Sequence, residues 1–320
     1  VAPSATGRLM AGSYLHLWMA YRAADTEPSV AAGGTALAAL LAGSVAPDLG
    51  LFPGGCRRFT NLVHAPAGAG FAQQLLAASE GAAHRAFAAG WALHLALDLA
   101  VHPWVEQRAA ALRSGRANRS GPGRRAGQRP APYGRAGDAR ARQLDHMRVE
   151  WGCDCRLLGL AEGRRLWRAP LEFPRRQDGG DWLSAEAVRC FGPQAAPSVV
   201  QLGERSLRRW LRLLPFLLSV CGKVPPSGRD WAGPVRRLVD RGTAVVVGGI
   251  ARRHGWLAAA ALAAPWQPSH GEMEALHGLS GRALSAFARE WRRGSGGGLG
   301  AQSGTEAGPD DEGQTLYDDR

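Results

Sequence analysis

An all-α fold, a multi-helix bundle, is predicted by three features of this 320-residue sequence. Apolar residues recur at three- and four-residue spacing along most of the chain. Strand-like alternation bounded by turn residues is scarce. Hydrophobic residues make up 45% of the chain, enough to bury a substantial core between helices.

The periodicity predicts helices over 8–22, 29–43, 68–79, 82–102 and 104–113, and then over 138–162, 184–191, 198–220, 233–264 and 271–293. The first contains the apolar stretch Tyr14–Met19. The second is the Ala-rich run Val30–Ala42, which, like Thr243–Ile250, is too short and too rich in Gly for a membrane span. The segment Ala86–Pro103 is apolar on every side and reads as a buried helix. Pro103 is expected to stop or kink it, because proline disfavours the helical conformation at the residue before it. Within 198–220, Arg205–Leu214 alternates Leu and Trp with Arg. That pattern suits a helix packed on the core with Arg outside, and it also admits peripheral contact with an anionic membrane.

Two segments fall outside this pattern. Ser114–Gly137 is rich in Arg, Gly and Pro and reads as a flexible insertion between helices. Gly294–Arg320 is Gly-rich and then acidic and reads as a disordered tail. A single helical domain over 8–293 is expected, and no internal repeat is visible. The net charge of +12 is concentrated partly in the Arg-rich insertion, so it does not by itself define a nucleic-acid surface, and no specific nucleic-acid partner is expected. The five cysteines, Cys56, Cys153, Cys155, Cys190 and Cys221, match neither a zinc ribbon nor a C-x-x-C motif. Free thiols in a reducing compartment are the expectation. No signal peptide is visible, so a cytoplasmic location is expected, or a secreted one if a leader preceded Val1.

The chemistry concentrates before residue 160. In the buried helix only His94, Asp98 and His102 can ionise, and their four-residue spacing puts them on one face. A carboxylate buried between two imidazoles needs a partner. A divalent metal satisfies all three, although a metal-free His–Asp–His network is the alternative for this helix alone. His146 and Glu150 form a second pair four residues apart. Alone they read as a solvent-facing pair, and their weight comes from the company of the first three. His16 lies in the first apolar helix, Asp48 follows Pro47 at a helix exit, and His64 sits in an inter-helical loop. His84, beside Arg85 at a helix start, reads as surface. His254, His270 and His277 read as structural or exposed. Imidazole and carboxylate without thiolate suit zinc and also admit manganese, iron or nickel. Eight ligands are too many for one tetrahedral ion and enough for two or three.

In order and spacing, His16, Ala46-Pro47-Asp48, His64, His94-x-x-x-Asp98-x-x-x-His102 and His146-x-x-x-Glu150 resemble the zinc-dependent phospholipase C family. The resemblance covers roughly residues 10–160. It implies an all-helical polynuclear zinc hydrolase that cleaves phospholipids or other phosphodiesters with a metal-activated water. It further implies that Asp48, His64, His94 and Asp98 hold one zinc, and that His102, His146 and Glu150 hold a second. His16, with Asp98 bridging, would help hold a third. Asp48 is the implied general base, with a role purely as ligand the alternative.

Two departures bear on this. Secreted members complete the third site with an N-terminal Trp that this chain lacks at its start, so a dinuclear centre is the expectation. Their histidine after the helix Asp also comes six residues later, whereas His102 comes four later. Related zinc nucleases carry Asp where this chain has Glu150, which favours the phospholipase branch over a nuclease. A helical protein with purely structural metals is the remaining alternative.

Overall fold

The computed structural model describes residues 12–32, 34–52, 56–65, 68–119, 135–160, 163–195, 203–209, 211–212 and 265–296. Among these the chain is helical, with one isolated bridge between Arg175 and Asp181 and no strand. The helices are α1 (Ser13–Thr26), α2 (Ala36–Val45), α3 (Arg57–Val63), α4 (Gly68–Ala77), α5 (Ala82–Arg119), α6 (Arg135–Leu158), α7 (Gly163–Trp167), α8 (Trp182–Phe191) and α9 (His270–Gly296). Residues 203–209 and 211–212 are also helical. The all-α expectation holds. The helices predicted over 198–220 and 233–264, the Arg-rich insertion and the tail lie wholly or largely outside the described residues. None of the helices among those residues is long and apolar enough to cross a membrane.

The long helix α5 is the axis of the bundle, with α2, α4, α6 and α9 packed on it. Its closest approach is to α2, and two glycines create it. A Cβ on Gly43 would stand 2.0 Å from the Phe87 carbonyl oxygen, and one on Gly90 2.1 Å from the Leu40 carbonyl oxygen. Each helix therefore offers a bare backbone where the other crosses it. Ser44, next to Gly43, is thereby brought against the histidine-bearing stretch of α5.

Three boundaries correct the sequence expectation. The helices predicted over 82–102 and 104–113 are one helix, and Pro103 lies inside it. Proline removes the hydrogen bond that would reach the Leu99 carbonyl. Leu99 is 81% exposed and Pro103 is also exposed, so that carbonyl lies on the water-facing side of the helix. The helix also continues to Arg119, and α6 begins at Arg135, so both ends of the predicted insertion are helical. The predicted helix over 29–43 is instead a 3-10 turn at Pro28–Ala31 followed by α2, with a break near Gly34. Finally, α3 and α7 were not anticipated: their seven and five residues are too few to display a periodicity.

Local signals set other boundaries. Ser269 and Glu272 form a reciprocal capping box at the start of α9, with the Glu272 backbone N–H donating to Ser269 Oγ and the Ser269 N–H donating to Glu272 Oε2. Met273, Leu276, Ala283, Leu284 and Phe287 then face the core at helical spacing. Asp181 caps α8 by accepting from the Ser184 N–H, and Gly192 at φ 79° ends it.

Candidate metal centre

Five segments deliver the eight predicted residues to one place. His16 comes from the first turns of α1, and Asp48 from the 3-10 turn Ala46–Leu51 that follows α2. His64 is the C-cap of α3. His94, Asp98 and His102 lie on α5, and His146 and Glu150 lie on α6.

Asp98 is the hub. Its Oδ1 lies 3.3 Å from His16 Nε2 and 3.5 Å from His102 Nε2. Its Oδ2 lies 3.3 Å from His64 Nε2 and 3.4 Å from His94 Nε2. Four imidazoles thus present the same ring nitrogen to one carboxylate. Asp48 Oδ1 joins at 3.6 Å from His64 Nε2. On the other side, Glu150 Oε1 lies 3.0 Å from His146 Nε2 and 3.6 Å from His102 Nε2. His102 therefore links the two halves. Its side chain is the most exposed of these, at 27%, and it borders a small cavity shared with Gly12, Leu15, Val105, Cys153 and Leu276.

Hydrogen bonds behind the rings settle which nitrogen carries the proton. His64 Nδ1 faces the Thr60 carbonyl at 2.8 Å, and His94 Nδ1 faces the Ser44 carbonyl at 2.8 Å. A carbonyl only accepts, so both Nδ1 atoms are protonated. The two Nε2 atoms nevertheless lie 3.1 Å apart and both face Asp98. In neutral imidazoles these would be two lone pairs turned on each other and on a carboxylate. That arrangement is repulsive unless a cation stands among them. His146 is oriented in the same manner, with Nδ1 donating to Glu106 Oε1 at 2.8 Å. A ring nitrogen held by a carbonyl or carboxylate while the other is left bare is the usual support of a metal-ligating histidine. In addition, the His16 ring stacks on His94 with centroids 3.9 Å apart, and its buried Nδ1 has no hydrogen-bond partner.

Three sets of donors, each with ligand atoms within 4.8 Å of one another, are suited to a metal ion: His64, His94 and Asp98; His102, His146 and Glu150; and His16, Asp48 and His94. The first two follow the grouping implied by the sequence. The third joins His16 to Asp48 and His94 as well as to its Asp98 contact.

Protons stand in for this positive charge in the metal-free protein. Burial disfavours the His64 imidazolium, but its hydrogen bond to Asp98 and the charges of Asp48 and Asp98 raise its pKa to about 9. Burial also opposes the His146 imidazolium, yet Glu150 and Glu106 raise it to about 10. Burial works against an ionised Asp98, and the surrounding imidazoles of His94, His102, His16 and His64 still hold it well below the usual carboxylate range. The stability supplied by the two histidines is complete below about pH 6.5, where the unfolded imidazole is also protonated, and is lost as pH rises through 9 and 10. The Asp98 contribution is present above the ordinary carboxylate range and is lost as pH falls below it. Thermal melts of chelator-treated protein are therefore expected to show a melting temperature that declines steadily from about pH 6.5 to 10. Zinc-loaded protein is expected to show no such decline, because zinc binds the neutral rings.

Two supporting residues were missed in the sequence. Glu106, one turn beyond His102, orients His146, and Asp154, one turn beyond Glu150, is 1% exposed and faces α1. One histidine was misjudged. His84 is buried rather than on the surface, with Nε2 3.1 Å from the Arg175 carbonyl and its ring against Trp182. Its partners come from a segment some ninety positions away, which local spacing does not reveal. His277 stacks on Trp18 and His270 is exposed, and neither belongs to a donor set, while His254 lies outside the described residues. Cys56, Cys153, Cys155 and Cys190 form no disulfide among the described residues. A separate cavity of about 520 Å³, bordered by Arg168, Pro170, Leu171 and Leu211, contains none of the eight residues.

No curated protein and no solved structure matches the chain. A family model described as zinc dependent phospholipase C matches residues 15–192, more than half of the sequence and a span that includes all eight residues. The chain belongs to the zinc-dependent phospholipase C family.

Proposed function

We propose that this protein is a zinc-dependent phosphoric diester hydrolase, with a phospholipid as its substrate class. The observation that carries the reading is the convergence of four imidazole Nε2 atoms on Asp98, with two of them only 3.1 Å apart. Membership of a zinc-dependent family supports zinc as the cation. His64, His94, Asp98 and Asp48 would hold one ion, and His102, His146 and Glu150 a second. His16, whose donor atom lies within 4.8 Å of those of Asp48 and His94, would help hold a third.

When bound, zinc supplies a nucleophilic water at neutral pH and neutralises charge on the phosphoryl oxygens. The protein's own residues do the rest. The carbonyls of Ser44 and Thr60 and the Glu106 carboxylate fix the rings in the tautomer that leaves Nε2 free. Asp98 places its two oxygens toward different histidines, which suits a bridging carboxylate. Asp48 is 9% exposed and stands beside His64, where it can accept the proton of an attacking water as general base. The partly exposed His102 marks the edge at which a phosphodiester would approach.

The test is direct. Purified protein is analysed for metals after zinc loading and gel filtration, and assayed on phosphatidylcholine, a generic aryl phosphodiester and single-stranded DNA, with and without chelator. About two zinc ions per chain are expected, with hydrolysis of the lipid that chelation abolishes and zinc restores. Fewer than one ion per chain would refute the polynuclear centre. Stoichiometric zinc without turnover would make the metals structural, and turnover confined to DNA would move the substrate to nucleic acid.

A further inference from the structure

The acidic and imidazole side chains of α6 do not end with the candidate ligands. His146, Glu150 and Asp154 follow one another at four-residue spacing and share one face of the helix. The first two reach the metal centre, and the third turns to the start of α1. Asp154 is 1% exposed. Its Oδ2 accepts from the Gly12 N–H and its Oδ1 from the Leu15 N–H, each at 3.1 Å.

Those are the amides that the first turn of a helix leaves without partners. Such amides are usually satisfied by a Ser, Thr, Asp or Asn at the N-cap itself. Here the N-cap is Gly12 at φ 92°, which has no side chain to supply. The cap therefore comes from another helix, 142 positions along the chain. Leu15 directly precedes His16, and the His16 N–H donates to the Gly12 carbonyl at 3.1 Å. The residue before His16 and the residue whose carbonyl accepts from the His16 amide are thus both held by Asp154.

We propose that Asp154 is a positioning residue for His16, locking the first turn of α1 to the ligand-bearing face of α6. One helix face then carries two metal donors directly and sets a third through the backbone of its neighbour. The inference rests on the reading of His16 as a metal donor. It assigns Asp154 no contact with metal or substrate. A residue that only stabilised the fold would leave the several zinc affinities in their normal ratio. A positioning residue acts on the ion at His16 alone.

The test uses the full chain and zinc itself as probe. Zinc affinities of wild type, Asp154→Asn, His16→Gln and the double variant are measured by competition with a chromophoric chelator. Hydrogen exchange of the α1 amides is followed in the chelated proteins. Asp154→Asn is expected to weaken the ion nearest His16 at least tenfold and to leave the ion of His102, His146 and Glu150 at wild-type affinity. It should have no further effect when His16 is already Gln. Exchange at Leu15 should quicken at least tenfold even without metal. If Asp154→Asn does not fold, Asp154→Glu keeps the carboxyl group while displacing it, and the same selective loss is expected. Unchanged zinc affinity in a folded Asp154 variant, or full additivity with His16→Gln, would overturn the positioning role. A wild-type chain that binds no zinc would overturn the metal centre itself, which is a separate failure.

Discussion

Asp98→Asn is expected to abolish metal-dependent hydrolysis and to lower bound zinc below one ion per chain, measured by elemental analysis after gel filtration. The substitution keeps the size of the side chain and removes its charge. Asp98 lies within 3.5 Å of four of the candidate histidines. Its loss removes a donor from the His64–His94 set and the contact shared by His16 and His102. Loss of a supporting outer partner alone costs roughly 10- to 100-fold in metal affinity or activity. A shared donor should therefore cost more than about 100-fold in both. A second effect adds to this one in the metal-free state. The asparagine no longer offers a negative charge to the His64 imidazole, whose pKa Asp98 helps to raise, so the chelated variant should melt at a lower temperature than chelated wild type at pH 6. Wild-type zinc content in Asp98→Asn would rule out its place at the hub.

The second large effect is expected at a residue with no ionisable side chain, one helical turn before His94. Gly90→Ala places a methyl 2.1 Å from the Leu40 carbonyl oxygen and 2.8 Å from the Ser44 nitrogen. Both obstacles are backbone, so relief requires α2 and α5 to separate. The expected loss is about 3 kcal/mol, at the upper end for overpacking, read by urea denaturation of chelated protein. The separation also draws the Ser44 carbonyl away from His94 Nδ1, a bond of 2.8 Å. Zinc affinity should fall at least about tenfold as that support is lost. Gly281→Ala in α9 is the control, because a Cβ there meets nothing within 4 Å. In that exposed helix interior alanine should raise stability by about 0.5–1 kcal/mol. Equal effects at the two glycines would show that close helix approach is not what Gly90 provides.

How far the centre was legible in the sequence follows from the kind of contact each residue makes. His94, Asp98 and His102 stood out because three ionisable groups in an otherwise apolar helix carry an obvious solvation cost. Asp48 and His64 had no such local signal, and only their order along the chain, shared with a known family, drew them in. Asp154 and Glu106 had none at all. On helices rich in charge a carboxylate looks like ordinary surface, and the amides of α1 that Asp154 serves are 139 and 142 positions away. Pro103 was expected to stop or kink the helix, and the helix does not stop there. The carbonyl it frees is at Leu99, whose exposure was not readable from a run of apolar letters.

The dispersal of the donors has a consequence for how the protein matures. They are drawn from α1, from the ends of α2 and α3, and from α5 and α6, spanning residues 16 to 150. Bringing such distant segments together is slow, because loop-closure entropy must be overcome before the contacts reward it. A nascent chain that stops short of α6 carries at most an isolated Asp98 cluster. The complete set of donors comes into being only after the helices have found their places. Zinc capture would then be a late event, and a chain loaded with its full complement of metal would be one whose topology is already finished.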